Sequence, residues 1–235
     1  MNLLDFKNAL KQRGLTLSEE QVDQLNTYSS FLTEYNKKVN LTAITDYESI
    51  LEKHFYDSLL LSFNKEIKGS LIDVGTGAGF PGVVLKICYP ELNVTLIEPL
   101  QKRCVFLKQL IEKLHLINID IVNARGEDYS LTNREKYDYV TARAVTNLNN
   151  LIEICGALVK VDGYFIALRG SSGKEEIEGA SNAIKRMGFV VEKTIEEELT
   201  DGSKRIISYM KKIEKTPKNF PRKYSIIKKQ PLWTK

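Results

Sequence analysis

Cysteine, histidine and long apolar runs are all scarce in this chain of 235 residues. The three cysteines, Cys88, Cys104 and Cys155, are widely spaced and form no Cys-x-x-Cys pair. A disulfide scaffold, a zinc framework and a dithiol redox site are therefore excluded, and buried reduced thiols are expected. The two histidines belong to no cluster of ligand-type residues, so no metal is expected.

Membrane and secretion signals are missing as well. No apolar run approaches the roughly 18 residues that a membrane-spanning helix needs. The N-terminus, MNLLDFKNALKQRG, has no long apolar core followed by a small-residue cleavage site. We therefore expect a cytoplasmic protein without membrane association. Since nothing in the sequence indicates an obligate interface, a monomer is expected.

The most informative segment is SLIDVGTGAGFPGVVL, residues 70–85. A short buried strand is followed by a turn crowded with glycines and then by an apolar helix. Glycine has no Cβ, so such a turn can bend sharply and let a ligand approach the backbone and the N–H groups of the helix. The segment predicts a nucleotide-cofactor loop in a doubly wound α/β sheet. A tight turn without a ligand is the simpler alternative.

The glycine spacing distinguishes between cofactors. The dinucleotide fingerprint is G-x-G-x-x-G. Here Gly75, Gly77 and Gly79 give G-x-G-x-G, and Phe80 takes the place of the expected third glycine. Asp73 precedes the first glycine by two residues, where a carboxylate suits a cofactor with a cationic group and repels a pyrophosphate. S-adenosylmethionine is therefore favoured over a dinucleotide.

Apolar periodicity predicts helices first and an alternation of strands and helices after them. Three N-terminal helices are expected over about residues 3–14, 18–35 and 46–63, the second with a capping box at Ser18. Strands are expected near 70–74, 93–97, 119–122, 137–141, 163–168, 188–195 and 205–213. Further helices are expected near 80–89, 101–115, 147–159 and 174–187. The pattern predicts an α/β fold with a mostly parallel seven-stranded sheet and an antiparallel last strand.

Ligands of an open α/β sheet bind beyond the carboxyl ends of its strands, so residues there are candidate site residues. Glu98 ends the second strand 23 residues after Gly75, where an acid accepts ribose hydroxyls. Gly126 and Glu127 follow the third strand and offer an N–H group and a carboxylate to an adenine edge. Arg143 ends the fourth strand, where it suits a cofactor carboxylate or a substrate phosphate, with a structural ion pair as the alternative.

Missing motifs narrow the chemistry further. No Asn-Pro-Pro-Tyr or Asp-Pro-Pro-Tyr follows the fourth strand to hold an exocyclic amine. All three cysteines fall in predicted helices and not in a loop where a thiolate attacks a pyrimidine ring. His54 shares a helix face with Asp57 and Ser58, and a structural role is favoured for this trio.

Charge is unevenly distributed along the chain. Residues 211–235 hold nine Lys or Arg and one acid, a net charge of +8, whereas residues 1–210 hold 25 basic and 29 acidic side chains, a net charge of −4. Clustered positive charge attracts polyphosphate chains. The C-terminal segment is therefore either a nucleic-acid-binding arm or a solvated tail.

The motifs VGTGAGFPG, ARGED, TARAV and ALRG, together with Glu98, resemble the bacterial ribosomal RNA small-subunit methyltransferase G family. NLTAI and HFYDSLL, residues 40–44 and 54–60, match that family too, and Phe80-Pro81-Gly82 is the most specific part. The resemblance covers about residue 20 to the C-terminus. It implies a Rossmann-like class I methyltransferase fold and methyl transfer from S-adenosylmethionine to N7 of one guanine in the 530 loop of 16S rRNA. The implied partner is the small ribosomal subunit.

The resemblance also implies roles for single residues. Cofactor contacts are implied at Gly75, Phe80, Gly126, Glu127 and Arg143, and Glu98 falls at the acidic ribose partner. With the loop residues above, the expected cofactor-binding set is Asp73, Gly75, Gly77, Gly79, Phe80, Glu98, Gly126, Glu127 and Arg143. The residues expected to contact RNA are Arg125, Arg169, Arg205, Arg222, Lys223, Lys228 and Lys229.

No catalytic base is expected, because N7 of guanine carries no proton to remove. Arg143 and Arg169 are expected to position the base, for example through its O6 atom. The family often has Lys where Arg169 stands, and Ser225 and Ile227 replace a Gly and a Pro of its C-terminal pattern. These departures leave the path of the arm open.

Three parts are expected along the chain: an N-terminal helical extension over 1–65, an S-adenosylmethionine-dependent domain over 66–213, and a basic arm over 214–235. Two other functions remain open. One is methyl transfer to a small molecule, which would share every cofactor residue. The other is an RNA-binding protein that uses the nucleoside only as a signal.

Overall fold

The computed structural model describes residues 1–143 and 146–232. The last two residues of the TARAV motif and the last three of the expected arm lie outside these ranges. Within the ranges, no helix combines the length and the apolar character needed to cross a membrane. All three cysteines are buried free thiols, as predicted.

The chain opens with two helices, α1 (Leu3–Gln12) and α2 (Glu19–Asn36). Ser18 caps α2: its hydroxyl accepts the backbone N–H of Gln21, and the Gln21 side chain accepts the backbone N–H of Ser18. This confirms the predicted capping box. The Gln21 amide also donates to the Ile87 carbonyl at 2.8 Å, which ties α2 to the body of the protein.

The third helical segment changes its winding along its length. Its parts are α3 (Tyr47–Ile50), a π-helical turn (Leu51–Tyr56), α4 (Asp57–Leu59) and a 3-10 turn (Leu60–Ser62). The helix predicted from Asp46 is thus present, and Asp46 caps its first turn. π turns are frequent at functional sites. This one carries Lys53 and His54.

Seven strands form one sheet. They are β1 (Ser70–Val74), β2 (Asn93–Ile97), β3 (Ile119–Val122), β4 (Tyr137–Arg143), β5 (Val159–Arg169), β6 (Phe189–Glu198) and β7 (Lys204–Lys212). Their order across the sheet is β3-β2-β1-β4-β5-β7-β6. Strands β1 to β5 pair in parallel, and β7 is antiparallel to both β5 and β6, as the sequence predicts.

The helices after β1 follow the predicted alternation with three differences. They are α5 (Gly82–Cys88), α6 (Gln101–Lys113), α7 (Gly126–Thr132), α8 (Leu148–Gly156), α9 (Gly173–Gly179), α10 (Ser181–Arg186) and α11 (Tyr224–Lys229). The short helices α7 and α11 were not expected. The single helix expected over 174–187 is divided in two after Gly179, a residue that favours helix ends.

Strand β5 begins four residues earlier than predicted, because an Asp-Gly pair lies inside the strand. Asp162 adopts a φ of 67°, and a Cβ on Gly163 would lie 2.8 Å from the Asp138 carbonyl oxygen. Such a pair normally indicates a turn. Here it accommodates an irregular register between β4 and β5.

Alternate strand residues face two separate hydrophobic clusters, one on each side of the sheet. The first cluster unites residues of β1 and β2 with the three N-terminal helical segments, α5 and α6. The second unites the other face with α8, α10 and the C-terminal segment. The N-terminal helices therefore share a core with the sheet.

The C-terminal segment is docked on the body and is not a fully solvated tail. Phe220, Ile227 and Leu232 are buried in the second cluster. Arg222 makes three hydrogen bonds to the carboxylate of Glu153, which lies on α8 and is fully buried. These contacts anchor the segment that carries the exposed lysines.

Candidate active site

The glycine segment forms a sharp bend between β1 and α5. Gly75, Gly77 and Gly79 all have left-handed backbones, with φ angles of 74°, 62° and 102°. Only glycine adopts such angles without strain. The backbone N–H groups of Gly75 and Thr76 both donate to the Ile97 carbonyl, at 2.8 and 3.1 Å. The bend is thus held against the carboxyl end of β2.

Asp73 lies beneath the bend and is fully buried. Its Oδ2 accepts the Thr76 hydroxyl at 2.6 Å and the backbone N–H of Gly82 at 2.9 Å, while its Oδ1 has no hydrogen-bond partner. Burial raises the pKa of Asp73 to about 6, against these two hydrogen bonds, which lower it. The observed contacts give Asp73 a part in holding the bend.

The glycines of the bend serve different purposes. A Cβ on Gly79 would lie 2.7 Å from the Tyr28 hydroxyl, and one on Gly82 would lie 2.4 Å from a Leu96 methyl group, so tight packing requires both glycines. A Cβ on Gly77 would meet only an Arg103 nitrogen, at 4.0 Å. The Gly77 face of the bend is therefore open to a ligand.

Glu98 stands at the carboxyl end of β2, where the sequence places it. Its Oε2 accepts the backbone N–H of Gly77 at 3.0 Å, and its Oε1 accepts that of Leu100 at 2.8 Å. Each carboxylate oxygen can accept a second hydrogen bond. Arg103 lies over the carboxylate, with its Nη1 3.6 Å from Oε2. Arg103 carries no distinguishing signal in the sequence, since basic residues on a helix turn are common.

Gly126 and Glu127 begin α7, next to the carboxyl end of β3. A Cβ on Gly126 would lie 2.7 Å from Val74 and 2.8 Å from Ile154, so this glycine allows α7 to approach β1 and α8. Glu127 is buried, and its Oε1 has no hydrogen-bond partner. Burial raises the pKa of Glu127. A buried carboxylate oxygen without a donor is a natural acceptor for a ligand amine.

Tyr28 of α2 clamps the bend from the N-terminal helices. Its buried hydroxyl donates to the Ala78 carbonyl at 2.5 Å, and its ring stacks on Phe80 with centroids 5.3 Å apart. Burial raises the pKa of Tyr28 well above its usual value, so the hydroxyl stays protonated. The helical pattern predicts Tyr28 as a core residue but gives no sign of this hydrogen bond.

Phe80 links the bend to Arg143. The His54 ring stacks on Phe80 with centroids 4.4 Å apart, and the Arg143 guanidinium carbon lies 5.0 Å from the same ring centroid. Arg143 also donates to the carboxylate of Asp57 at 2.9 Å and to the Lys53 carbonyl at 3.1 Å. The ion pair weighed as the alternative for Arg143 is thus present, on a side chain that also borders the bend.

His54 is not positioned as a catalytic base. Its Nε2 lies 2.9 Å from the Thr42 hydroxyl, and its Nδ1 lies 3.1 Å from the Lys53 carbonyl oxygen and 3.4 Å from an Arg143 nitrogen. Burial and the neighbouring Arg143 lower the pKa of His54 to about 4, so the ring is neutral near pH 7. Ser58 donates to the His54 carbonyl, which agrees with the structural role favoured for the trio.

A cavity of about 450 Å³ adjoins Arg143 and is called the basic cavity below. Its charged wall consists of Lys53, Asp57, Arg143, Arg169 and Arg205. Asp57 pairs with two arginines from distant strands, accepting from Arg143 at 2.9 Å and from the Arg205 Nε at 2.7 Å. The predicted positioning residues Arg143 and Arg169 and the predicted RNA contact Arg205 are thus brought together.

The other expected RNA contacts lie apart from the basic cavity. Arg125 is exposed, and its guanidinium carbon lies 5.3 Å from the Tyr224 ring centroid, so it meets the C-terminal segment. Lys223, Lys228 and Lys229 are exposed. Arg222 differs from them, because its guanidinium is engaged by the buried Glu153. These contacts give Arg222 an anchoring role, and its contact with RNA stays a prediction.

Solved structures confirm the fold class. The structure of TYW2 from M. jannaschii in complex with AdoMet matches with a TM-score of 0.57 at 14% identity, over 73% of this chain and 80% of that chain. A 16S rRNA (adenine(1408)-N(1))-methyltransferase from Catenulisporales acidiphilia matches with a TM-score of 0.52 at 17% identity, over 65% and 86% of the two chains. At these identities the likeness shows a Rossmann-like methyltransferase fold and nothing finer.

Closer relatives exist among known sequences. The family model described as rRNA small subunit methyltransferase G matches residues 21–207. The Ribosomal RNA small subunit methyltransferase G of Lysinibacillus sphaericus is 43% identical over 99% of this chain and 100% of its own length. That of Bacillus licheniformis is 44% identical over 99% of both chains. This chain therefore belongs to the rRNA small subunit methyltransferase G family.

Proposed function

We propose that this chain transfers a methyl group from S-adenosylmethionine to a guanine of small-subunit ribosomal RNA, at N7 in the 530 loop as the motif resemblance implies. Family membership supports the reaction and its RNA substrate. The location of the site is inferred from the open bend at Gly77, which contacts the Glu98 carboxylate, and from the unpaired carboxylate oxygen of Glu127 after the neighbouring strand β3.

The residues around the bend fit S-adenosylmethionine. Glu98 has spare lone pairs for the ribose hydroxyls, and the unpaired Oε1 of Glu127 suits the amino group of adenine. Gly77 leaves space for the nucleoside beside the Glu98 carboxylate. Asp73 acts mainly by fixing the bend, and its unpaired Oδ1 adds negative charge that a cationic ligand favours.

Arg103 must move when the nucleoside binds. Its guanidinium occupies the space beside both Gly77 and the Glu98 carboxylate, and its side chain is one-third exposed. A long exposed side chain can change rotamer at little energetic cost. We expect Arg103 to swing toward solvent and leave Glu98 to the ribose.

The bound cofactor supplies a methyl group on a positively charged sulfur, which a lone pair can displace. Guanine N7 has such a lone pair and no proton, so the protein needs to orient the base and exclude water. Arg143 borders both the bend and the basic cavity and suits this positioning role. The neutral, fully engaged ring of His54 holds Phe80 and Arg143 in place.

The three parts of the chain have different roles in the proposed reaction. The helices of residues 1–65 support the bend through Tyr28, residues 66–213 carry the cofactor site, and residues 214–235 hold basic side chains for RNA. Since Phe220 and Ile227 are buried, deleting the arm would damage the core. Substituting the exposed Lys228 and Lys229 by Gln is therefore the cleaner way to weaken the salt-dependent RNA affinity.

A methyl-transfer assay tests the proposal. The chain is incubated with cofactor labelled in the methyl group and with small ribosomal subunits, naked 16S rRNA or a metabolite extract. We expect label on the RNA, and nuclease digestion with mass spectrometry should identify N7-methylguanosine. The assay also shows whether free rRNA or the assembled subunit is the substrate.

Each alternative predicts a different result. Label only in the extract would identify a small-molecule methyltransferase and overturn the RNA substrate. Cofactor binding without any transfer would favour an RNA-binding protein that senses the nucleoside. We expect the enzyme in the cytoplasm, with its substrate, and as a monomer, which sedimentation of the purified chain would check.

A further inference from the structure

The basic cavity presents donors where a guanine would also need acceptors. Lys53, Arg143, Arg169 and Arg205 contribute only N–H groups. The carboxylate of Asp57 is the acid of the wall, and both its oxygens already accept from arginines. The four cations offer no acceptor to the N–H donors at N1 and N2 of a guanine base. A phosphodiester presents acceptors alone.

The charge of the cavity matches one phosphodiester. The wall holds four cationic side chains and the carboxylate of Asp57. Two more carboxylates, outside the wall, pair with these cations. Lys53 pairs with Asp201 at 2.8 Å, and Arg169 pairs with Glu176 at 2.5 Å. Four cations against three carboxylates leave a net charge of +1, which one phosphodiester neutralises.

Two further features point to a ligand. The Nε of Arg169 is buried without a hydrogen-bond partner, so this guanidinium gains a bond if it turns toward the cavity. Gly170, beside it in the wall, would place an added Cβ where nothing lies within 4 Å. The wall is therefore open next to an unused donor.

The position of the cavity also suits the reaction. Arg143 belongs to its wall and lies over Phe80, which directly follows the glycine bend. A strand whose phosphate enters the cavity therefore has a neighbouring base within reach of the bend.

We propose that the basic cavity binds one phosphodiester of the RNA strand, next to the guanine that is methylated. The proposal rests on the function proposed above. Phosphate contacts fix the register of a strand without reading its sequence. The cavity thus sets which base reaches the methyl group, and Arg143, at its edge beside Phe80, borders both the phosphate and the base.

The central test compares Arg205→Met with wild type in RNA methylation at several salt concentrations. Arg205 contributes to the wall, and Asp57 keeps Arg143 as a partner when Arg205 is lost. We expect the KM for RNA to rise roughly ten- to hundredfold, as for a lost charged hydrogen bond. The slope of log KM against log salt should fall by about 1. Arg205→Lys should restore most of the slope, and the affinity for S-adenosylhomocysteine should stay within about twofold.

Two matched variants control the test. Lys160→Met removes a paired surface cation at the start of β5, whereas Arg169 of the cavity wall ends that strand. It should change neither the KM for RNA nor the salt slope. Gly170→Leu adds a bulky side chain at the wall of the cavity and leaves its charges in place, so it should also raise the KM and lower the slope. It keeps the proposal testable if Arg205→Met folds poorly.

Several outcomes would overturn the proposal. Equal salt slopes for Arg205→Met and Lys160→Met would exclude a phosphate contact. A higher KM with an unchanged slope would indicate contact with the base. Weaker S-adenosylhomocysteine binding with an unchanged RNA KM would assign the cavity to the carboxylate of the cofactor. If wild type transfers no label to RNA at all, the proposed function fails before this inference is reached.

Discussion

Replacing Gly77 by Ala separates the space left for a ligand from the conformation of the bend. Gly77 has a φ of 62° and an open Cβ direction, and Gly14, in the turn between α1 and α2, has a φ of 82° with nothing within 4 Å of an added Cβ. A non-glycine residue in this conformation costs roughly 1–2 kcal/mol. Both Gly77→Ala and Gly14→Ala should therefore lower the free energy of unfolding by about that amount.

The two variants should differ in cofactor binding. Each kcal/mol lowers the Tm of a domain of this size by about 2–4 °C, so both should melt about 2–8 °C below wild type. In calorimetry, Gly14→Ala should bind S-adenosylhomocysteine as wild type does. Gly77→Ala should bind it more than about tenfold less tightly, because a methyl group then occupies ligand space. Equal affinity in the two variants would refute a nucleoside on the Gly77 face.

Three further predictions concern the supports of the site. Tyr28→Phe leaves the buried Ala78 carbonyl without its donor, so the free energy of unfolding should fall by about 1–3 kcal/mol in denaturant titration. The affinity for S-adenosylhomocysteine should fall severalfold, and an unchanged affinity would show that Tyr28 does not support the bend. Arg222→Gln leaves the carboxylate of Glu153 buried and unpaired, which should lower the free energy of unfolding by about 3–5 kcal/mol. Adding Glu153→Gln should recover part of the loss, and an Arg222→Gln variant as stable as wild type would contradict the anchoring role. The pKa of His54 falls from 6.5 to about 4 on folding, so between these pH values the unfolded chain binds a proton that the folded chain does not. The free energy of unfolding should therefore drop as pH falls through this window, by about 3 kcal/mol at most. His54→Phe should lack this component, and matching pH profiles of the variant and wild type would contradict it.

The sequence predicts the first three strands well because they are short and bounded by turn residues. The ranges expected for β1, β2 and β3 match the structure. The helix α7 is missed since it is short and begins after Arg125, without a side-chain cap. The helix α11 is missed in a Lys/Pro-rich stretch, where burial of Ile227 against the body stabilises it.

Some residues of the candidate site can likewise be located from the sequence and others cannot. Glu98 and the glycines can be located from spacing alone, since a strand end and a bend fix where their backbones lie. The pairs formed by Asp57 cannot, because Arg143 and Arg205 lie 86 and 148 residues further along the chain and meet it only through the sheet order. The same holds for Arg222, whose charge favours RNA in the sequence and meets Glu153 in the fold.

The most direct test of the account is a crystal structure of this chain with S-adenosylhomocysteine. We expect the nucleoside on the bend, with the ribose on the Glu98 carboxylate, the adenine amine on Glu127, and Arg103 turned away from Gly77. Ligand bound elsewhere, with Arg103 still covering Glu98, would contradict it.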